Sequence, residues 1–315
     1  MEYDKSFMML SSVLESDLIN FLIEKTADEI QLNSDGRVFV KFSGGSTEYH
    51  SDLTDVQAII IIKTIASLNG HDLNNISILD CEIASFGCRF SAVLPPVVKR
   101  PVFCIRILHA VNMSFEDLLR QNFLNHHQKE NLQKILREKS NVLVCGQTGC
   151  GKTSFINSML SYLAENQADE RIICIEDTPE LKLKNENSLN LYSNEKTDMS
   201  ALVKASLRLS PDRIVIGEIR SKEALDMLDA LSTGHSGCIA SMHAGSAKQC
   251  LNRLKLMASR NENAPKNLDE LIALSVNVII VLCAYPFRHV KSIRQYETTS
   301  ADVNSWIYRV NCRCK

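Results

Sequence analysis

The chain has 315 residues, of which 45% are hydrophobic and 23% charged, proportions that are ordinary for a folded soluble protein of one large or two average domains. Its formal net charge of −2 argues against a nucleic-acid binder that works through bulk charge. The eleven cysteines include no C-x-x-C pair, which argues against a four-cysteine zinc site and favours reduced thiols.

The first part of the chain, residues 1–125, predicts an α+β domain. A helix over about 11–24 precedes two alternating segments around Asp35, a pattern typical of a β-hairpin. Thr54 begins a capping box that opens a second helix, and Gly70 is expected to close it. Three strand-like segments follow, at 77–83, 89–94 and 102–108.

The second part, residues 126–315, predicts an α/β domain in which strands alternate with helices. Such alternation indicates a mainly parallel sheet with helices on both faces. The expected strands are 142–145, 171–175, 212–216, 237–241 and 276–282. The apolar runs 58–62 and 276–284 are too short to span a bilayer, and the first residues do not resemble a signal peptide.

Residues 146–153 read GQTGCGKT and directly follow a short apolar strand. This is the phosphate-loop pattern G-x-x-x-x-G-K-[ST], in which glycines let successive backbone N–H groups point at a phosphate chain. Lys152 supplies a positive charge for the β- and γ-phosphates, and the Thr153 hydroxyl can ligate Mg²⁺. The following segment has apolar residues on one helical face. The pattern therefore predicts binding of a nucleoside triphosphate.

Acidic residues end two of the predicted parallel strands, Glu176 and Asp177 after the second and Glu218 after the third. The carboxyl ends of parallel strands face the ligand crevice, so these carboxylates are placed to meet phosphates, Mg²⁺ or the attacking water. His235 and His243 bracket the next strand, and without a third ligand a zinc site is not expected. A neutral imidazole that senses the γ-phosphate and a structural histidine both remain open.

Four arginines have an open role. Arg89 and Arg106 lie on strands of the first domain, and Arg208 and Arg213 precede the strand that ends at Glu218. An arginine from one domain or subunit can complete a phosphate site in another, and a surface or ion-paired arginine is the equal alternative.

Four segments in this order resemble the traffic ATPases of type II and type IV secretion, conjugation and pilus systems. They are the loop GQTGCGKT, IEDTPEL at 175–181, SPDRIVIGEIR at 210–220 and TGHSGCIASMHAGS at 233–246. They are similar to that family's Walker A, Asp box, Walker B and His box. Residues 257–282 are similar to the TrbB-like conjugative-transfer branch.

The resemblance implies a RecA-like P-loop domain behind the N-terminal α+β module, and hydrolysis of ATP with Mg²⁺ as cofactor. It also implies a homo-oligomeric, hexameric ring in the cytoplasm, held at the inner membrane by components of a secretion channel. Direct nucleic-acid binding is not expected. Alternatives are a type IV pilus-retraction or type II secretion ATPase, a DNA-binding translocase, and a scaffold that binds nucleotide without hydrolysing it.

The resemblance also implies roles for individual residues. Glu176 would polarise the attacking water, with Glu180 as the alternative, and Glu218 would support Mg²⁺ and its water. His243, and less so His235, would couple the γ-phosphate to movement. The nucleotide-binding residues implied are Gly146, Gln147, Thr148, Gly149, Cys150, Gly151, Lys152, Thr153, Ser154, Arg89 and Arg106. Cys150 stands where the family usually has Ser or Ala, so we expect a thiol beside the phosphates to make activity sensitive to oxidation.

Overall fold

A computed structural model describes residues 5–42, 45–107, 113–194, 196–296 and 308–310. The chain forms two compact units, Met1–His109 and Ala110–Lys315. The division comes earlier than the boundary predicted after residue 125, because the short helix that begins at Phe115 packs in the second unit. The ring of Phe115 lies 5.5 Å from that of Tyr162.

The first unit is a six-stranded, fully antiparallel sheet with helices packed on one face. The strands lie in the order β3-β2-β1-β6-β5-β4. The predicted hairpin and the Thr54 capping box are both present. The elements are α1 Lys5–Ser11, α2 Ser16–Glu24, β1 Ala27–Leu32, β2 Arg37–Phe42, β3 Thr47–Asp52, α3 Asp55–Leu68, β4 Ile78–Ile83, β5 Cys88–Val93 and β6 Val102–Ile107.

Charged residues form a row across the other face of this sheet. Pairing across neighbouring strands puts Glu82 opposite Arg89, Arg89 opposite Arg106, Arg106 opposite Glu29, and Glu29 opposite Lys41. Two directly opposed arginines repel each other, and the acids at either side of the pair offset that repulsion. We call these five residues the charged row.

The second unit is an eight-stranded sheet in the order β14-β13-β12-β7-β11-β10-β8-β9. The six strands from β12 to β9 are parallel, and β13 and β14 add an antiparallel edge. The first elements are α4 Phe115–Arg120, α5 His126–Arg137, β7 Val142–Gly146, α6 Lys152–Asn166, β8 Ile172–Glu176, β9 Ser188–Tyr192 and α7 Met199–Ser206. The remaining elements are β10 Arg213–Ile216, α8 Glu223–Ser232, β11 Ile239–His243, α9 Ala247–Ala258, α10 Leu268–Ser275, β12 Val278–Cys283, β13 His289–Tyr296 and β14 Tyr308–Val310.

Helices cover both faces of this sheet and create two separate apolar cores. Strand β7 is buried along its whole length, with Leu143 and Cys145 in one core and Val142 and Val144 in the other. Helices α7 to α10 complete the first core and α4 to α6 the second. A strand that is buried on both faces consists of a continuous run of apolar residues, which is why the sequence predicted β7. Within the described part of the chain, no helix is long and apolar enough to cross a membrane.

Candidate functional site

The phosphate loop joins the carboxyl end of β7 to the amino end of α6. Gly149 and Gly151 adopt φ angles of +76° and +92°, which side chains other than glycine rarely allow. A β-carbon on Gly146 would clash with the Sγ atom of Cys150, so that position also requires glycine. The loop therefore brings its backbone N–H groups and the positive end of α6 to the edge of the sheet.

The side chain of Cys150 points away from this loop surface and into the core beneath it. It is fully buried among the residues that pack between α6 and the sheet. Burial raises the pKa of its thiol, which disfavours the reactive thiolate. Burial beneath the loop and the raised pKa argue against a reactive thiol, and sensitivity of the activity to oxidation stays a prediction.

Lys152, His243 and Glu218 form a chain of contacts across the ends of β7, β11 and β10. The Lys152 Nζ atom lies 3.3 Å from Nδ1 of His243, and Nε2 of His243 lies 3.0 Å from Oε1 of Glu218. Burial, followed by the Lys152 charge, lowers the pKa of His243, which favours the neutral ring. An ammonium group can only donate, so Nδ1 accepts from Lys152 and the ring proton sits on Nε2, facing Glu218.

Glu218 is held ionised by its neighbours. Burial alone would raise the pKa of its carboxyl group, but the Arg220 guanidinium, His243 and Lys152 outweigh burial, and the pKa is lowered. Arg220 donates from Nη2 to Oε2 of Glu218 over 2.7 Å and forms a second ion pair with Asp177. Arg220 thus joins the acids at the ends of β8 and β10.

Two glutamates after β8 occupy different environments. The side chain of Glu180 faces the phosphate loop, where its Oε2 accepts a hydrogen bond from the Thr153 hydroxyl over 2.8 Å. Glu176 is only 2% exposed, and its Oε1 accepts from the backbone N–H groups of Glu180 and Leu181, each over 3.0 Å. Burial raises the pKa of Glu176 to about 7. Glu180 therefore lies beside the Thr153 hydroxyl, whereas Glu176 bonds the backbone of the loop that carries Glu180.

Two neighbouring residues keep this arrangement in place. A β-carbon on Gly217 would come within 2.9 Å of the Glu176 Cγ atom, so glycine at that position makes room for the buried carboxyl group. Ser241 donates from its hydroxyl to the carbonyl oxygen of Gly217 over 2.5 Å and ties β11 to the end of β10.

Asn157 is a site residue that the sequence did not reveal. It lies on α6, is almost fully buried, and donates from Nδ2 to the carbonyl oxygen of Glu180 over 3.2 Å. Its Oδ1 accepts from the backbone N–H of Lys182 over 2.8 Å. The sequence signal for this residue was a polar side chain among the apolar residues on the inner face of α6. A buried asparagine needs hydrogen-bond partners, so such a position points to a polar contact in the fold.

A cavity of about 720 Å³ opens beside the first residues of the phosphate loop. One wall is formed by residues 146–148 and 243–245, and the other by α9. The α9 residues are Gln249, Asn252, Arg253 and Leu256. Arg253 is near enough to His243 to contribute to the lowering of its pKa. On an amphipathic helix these polar residues look like ordinary surface residues, so no sequence signal distinguished them.

Other residues considered from the sequence lie elsewhere. His235 precedes the amino end of β11, while His243 is the last residue of that strand. The two histidines therefore lie at opposite ends of β11. The Arg213 side chain is fully buried and bonds Glu170, Gln167 and the carbonyl oxygen of Leu136. Arg213 therefore has a structural role.

Arg89 and Arg106 lie next to each other in the charged row, where Arg106 is 3.8 Å from Oε1 of Glu29. Their role toward a nucleotide stays a prediction. Arg208 is exposed in a short 3₁₀ turn after α7.

Comparison with known protein families decides the affiliation. The family model described as type II/IV secretion system protein matches residues 78–312, which is most of the chain. The chain belongs to this family. The predicted family is therefore confirmed.

Individual relatives come from the conjugative and type IV secretion branches of this family. The conjugal transfer protein TrbB of Rhizobium radiobacter is 30% identical over 272 residues, which cover 86% of this chain and 84% of TrbB. The VirB11 protein of Agrobacterium fabrum is 27% identical over 316 residues, which cover 88% and 89% of the two chains.

Solved structures share the fold at low sequence identity. The pilus retraction motor PilT, solved with bound ADP, aligns with a TM-score of 0.65 at 21% identity, covering 89% of this chain and 82% of PilT. The Legionella pneumophila ATPase DotB aligns with a TM-score of 0.64 at 16% identity, covering 90% and 82%. The predicted fold class, an N-terminal α+β module followed by a RecA-like P-loop domain, is confirmed.

Proposed function

We propose that this chain is the ATP-hydrolysing motor of a type IV secretion or conjugative-transfer system. The observation that carries the proposal is the contact chain Lys152–His243–Glu218 beside the Thr153–Glu180 pair at the mouth of a phosphate loop. It combines a phosphate-binding cation, carboxylates for a metal and its water, and a neutral histidine between them. Membership of a family that includes TrbB and VirB11 supports the same function.

The residues present fit a magnesium ion. Mg²⁺ prefers oxygen ligands, and the Thr153 hydroxyl, the Glu180 carboxylate and the ionised Glu218 carboxylate are the oxygen donors at this edge. Thr153 would hold the ion directly, with the two glutamates binding its waters. When bound, the ion would neutralise charge that develops on the phosphates.

The protein's own groups suggest how hydrolysis is coupled to movement. Lys152 donates to the carbonyl oxygens of Gly146 and Gln147 as well as to His243. A phosphate chain in the loop offers charged acceptors, which compete for the ammonium group because charge-assisted hydrogen bonds are stronger. His243 would then lose its donor on Nδ1, and its contact with Glu218 would adjust. Binding of the γ-phosphate would thereby change the hydrogen bonds of the imidazole, which connects the end of β11 to Glu218 at the end of β10.

Glu180 is our choice for the residue that orients or deprotonates the attacking water. Its carboxylate is beside the Thr153 hydroxyl, whereas both backbone bonds that Glu176 accepts are used to hold the loop that carries Glu180. A catalytic base must first be within reach of the water, and geometry therefore favours Glu180. Glu176 would act as a positioning residue.

The assembly is also part of the proposal. The chain would work as a hexameric ring in the cytoplasm, bound to inner-membrane channel components of the secretion system. Arg106 and Arg89 would contribute to nucleotide binding from the N-terminal unit. Native mass spectrometry of the full chain with and without ATP tests the ring, and a monomer under both conditions would contradict it.

Phosphate release from ATP tests the activity. We expect Mg²⁺-dependent turnover by the wild type, with a loss of about 10²-fold or more for Lys152→Ala because the phosphate-binding charge is gone. Lys134→Ala is the matched control, since Lys134 is an exposed lysine on α5 with a surface ion pair. A wild type that binds ATP but does not hydrolyse it would replace the motor by a nucleotide-gated scaffold.

A further inference from the structure

Two aromatic side chains are exposed on the loop between β12 and β13. Tyr285 is 84% exposed and Phe287 is 55% exposed. Large apolar rings left in water commonly mark a binding surface when they lie together. We call the loop that carries them, residues 284–288, the aromatic loop.

The aromatic loop is fixed to the body of the second unit. The Cys283 thiol donates to the Tyr285 carbonyl oxygen over 3.2 Å, and Nδ1 of His289 lies 2.8 Å from the carbonyl oxygen of Phe287. Directly after the loop, the Val290 N–H donates to the Phe123 carbonyl oxygen over 2.7 Å. These bonds fix the backbone of the loop, and the Phe287 ring lies 5.0 Å from the His289 ring while it stays 55% exposed.

The same loop borders the phosphate loop. A β-carbon on Gly151 would lie 3.9 Å from Cδ of Arg288 and 3.3 Å from the ring of Phe123. The Arg288 stem therefore runs beside the phosphate-loop backbone. An extended chain advances at most ~3.5 Å per residue, so Tyr285 is within about 11 Å of Arg288 along the loop, and Phe287 is closer.

Strand order gives a direction to a nucleotide bound here. Strand β7 ends in the phosphate loop and has β11 on one side and β12 on the other. The groups suited to the γ-phosphate and its metal lie on the β11 side: His243 is the last residue of β11, and Glu218 and Glu180 follow β10 and β8. With the γ-phosphate on that side, the ribose and base extend in the opposite direction, toward β12 and the aromatic loop.

We propose that Phe287 and Tyr285 form the surface on which the base of the nucleotide stacks, with the Arg288 stem lining the path from the phosphates. This inference rests on the proposed function and identifies the base-binding side of the same site. Stacking on an aromatic ring needs only the π-face of the base, which an exposed ring on a fixed loop provides.

Binding of ATP compared with binding of tripolyphosphate, which has no base, tests the inference. We expect the Kd for ATP, measured by calorimetry on the full chain with Mg²⁺, to rise about tenfold in Phe287→Ala and in Tyr285→Ala. The Kd for tripolyphosphate should change less than twofold. Phe287→Tyr should keep the Kd for ATP near the wild-type value, since it retains an aromatic ring at this position. Tyr49→Ala, which removes a ring that is 55% exposed in the first unit, is the control.

The outcomes separate the inference from the proposed function. Wild-type ATP binding that survives the double substitution of Tyr285 and Phe287 by alanine overturns the stacking surface and leaves the motor in place. Equal losses of ATP and tripolyphosphate affinity also overturn it, because the loop would then act through the phosphates or the fold. Loss of ring assembly with unchanged ATP affinity would make the aromatic loop a subunit contact instead. A wild type that binds neither ligand overturns the proposed function and the inference together.

Discussion

At the scale of single residues, two glutamates that are four positions apart have different surroundings and different hydrogen-bond partners. Glu176 ends β8 with its carboxyl group buried and bonded to backbone N–H groups, while Glu180 reaches the Thr153 hydroxyl. From the sequence, the family resemblance implied Glu176 as the residue that acts on water, with Glu180 as the alternative, and an acid at the end of a parallel strand commonly faces the ligand. The turn after β8 brings the second glutamate back to the phosphate loop, which supports our proposal of Glu180 for that role.

The two glutamates should respond differently to the same substitution. We expect Glu180→Gln to lower ATP turnover by about 10²-fold or more with ATP still bound, because an amide cannot take a proton from water. Glu176→Gln keeps an oxygen that can accept the two backbone N–H groups, so turnover should fall by less than about tenfold. Steady-state phosphate release together with ATP binding measures both. The reverse ranking would return Glu176 to the catalytic role.

The buried carboxyl group of Glu176 should also give the fold a pH dependence. The folded chain holds its proton up to a pKa of about 7, whereas the unfolded chain releases it near the ordinary value of 4.5. Between these values the folded state binds more protons, so this group lowers the free energy of unfolding as the pH rises from 4.5 to 7. The shift corresponds to a change on the order of 3 kcal/mol.

Glu176→Gln removes that titration. We therefore expect its free energy of unfolding, measured by urea denaturation at several pH values, to decline less between pH 4.5 and 7 than that of the wild type. Glu218→Gln is a useful comparison, because the pKa of Glu218 is lowered and its contribution has the opposite sign. Parallel curves for the wild type and Glu176→Gln would show that Glu176 is ionised across this range.

At the scale of elements, the α6 helix does more than present the phosphate loop. Its inner face carries Asn157, whose amide bonds both the carbonyl oxygen of Glu180 and the N–H of Lys182. The helix that follows the phosphate loop thus also fixes the position of the carboxylate opposite that loop. Under the proposed function, the same rigid element would set both phosphate binding and water activation.

Asn157→Ala should separate positioning from binding. It removes the partner of two part-buried backbone groups of the loop that carries Glu180, so we expect kcat to fall by about tenfold or more while the KM for ATP changes little. Asn166→Ala is the control on the same helix, where the asparagine bonds only the carbonyl oxygen of Tyr162. An Asn157→Ala protein whose KM rises with unchanged kcat would contradict a positioning role.

The elements differ in how well the sequence predicted them. Strand β7 and the hairpin around Asp35 were predictable, because buried apolar runs and turn residues are local signals. Strand β3 was missed, since its residues TEYHSD are mostly exposed and polar and form a strand only through pairing with β2. The aromatic loop and the α9 wall of the cavity were missed for a related reason, as only the tertiary fold brings them to the phosphate loop.

At the scale of the whole molecule, the chain divides its chemistry between two units. The second unit contains the phosphate loop and all the acids around it. The first unit contributes the charged row, in which Arg89 and Arg106 stand side by side between acids. Neighbouring arginines can bind a polyanion such as the phosphates of a nucleotide, and the flanking acids can stabilise the sheet by ion pairing. The charged row is therefore compatible with a role in nucleotide binding and with a role in sheet stability.

Arg106→Ala distinguishes the two interpretations. If Arg106 contributes to nucleotide binding, kcat/KM for ATP should fall by about tenfold or more, because a charge that stabilises the phosphates is lost. Arg100→Ala is the matched control, since Arg100 belongs to the same unit and has its own exposed ion pair with Asp55. Unchanged kinetics for Arg106→Ala would leave the charged row a feature of sheet stability.

The contact between Gly146 and Cys150 has a consequence for sequence variation in this loop. The Sγ atom of Cys150 occupies the space that a β-carbon on Gly146 would need, so the two positions share one small volume. The side chain at position 150 must therefore be small, and serine or alanine would fit the same volume. Relatives should interchange these three small residues freely there, while any branched side chain would force the loop open.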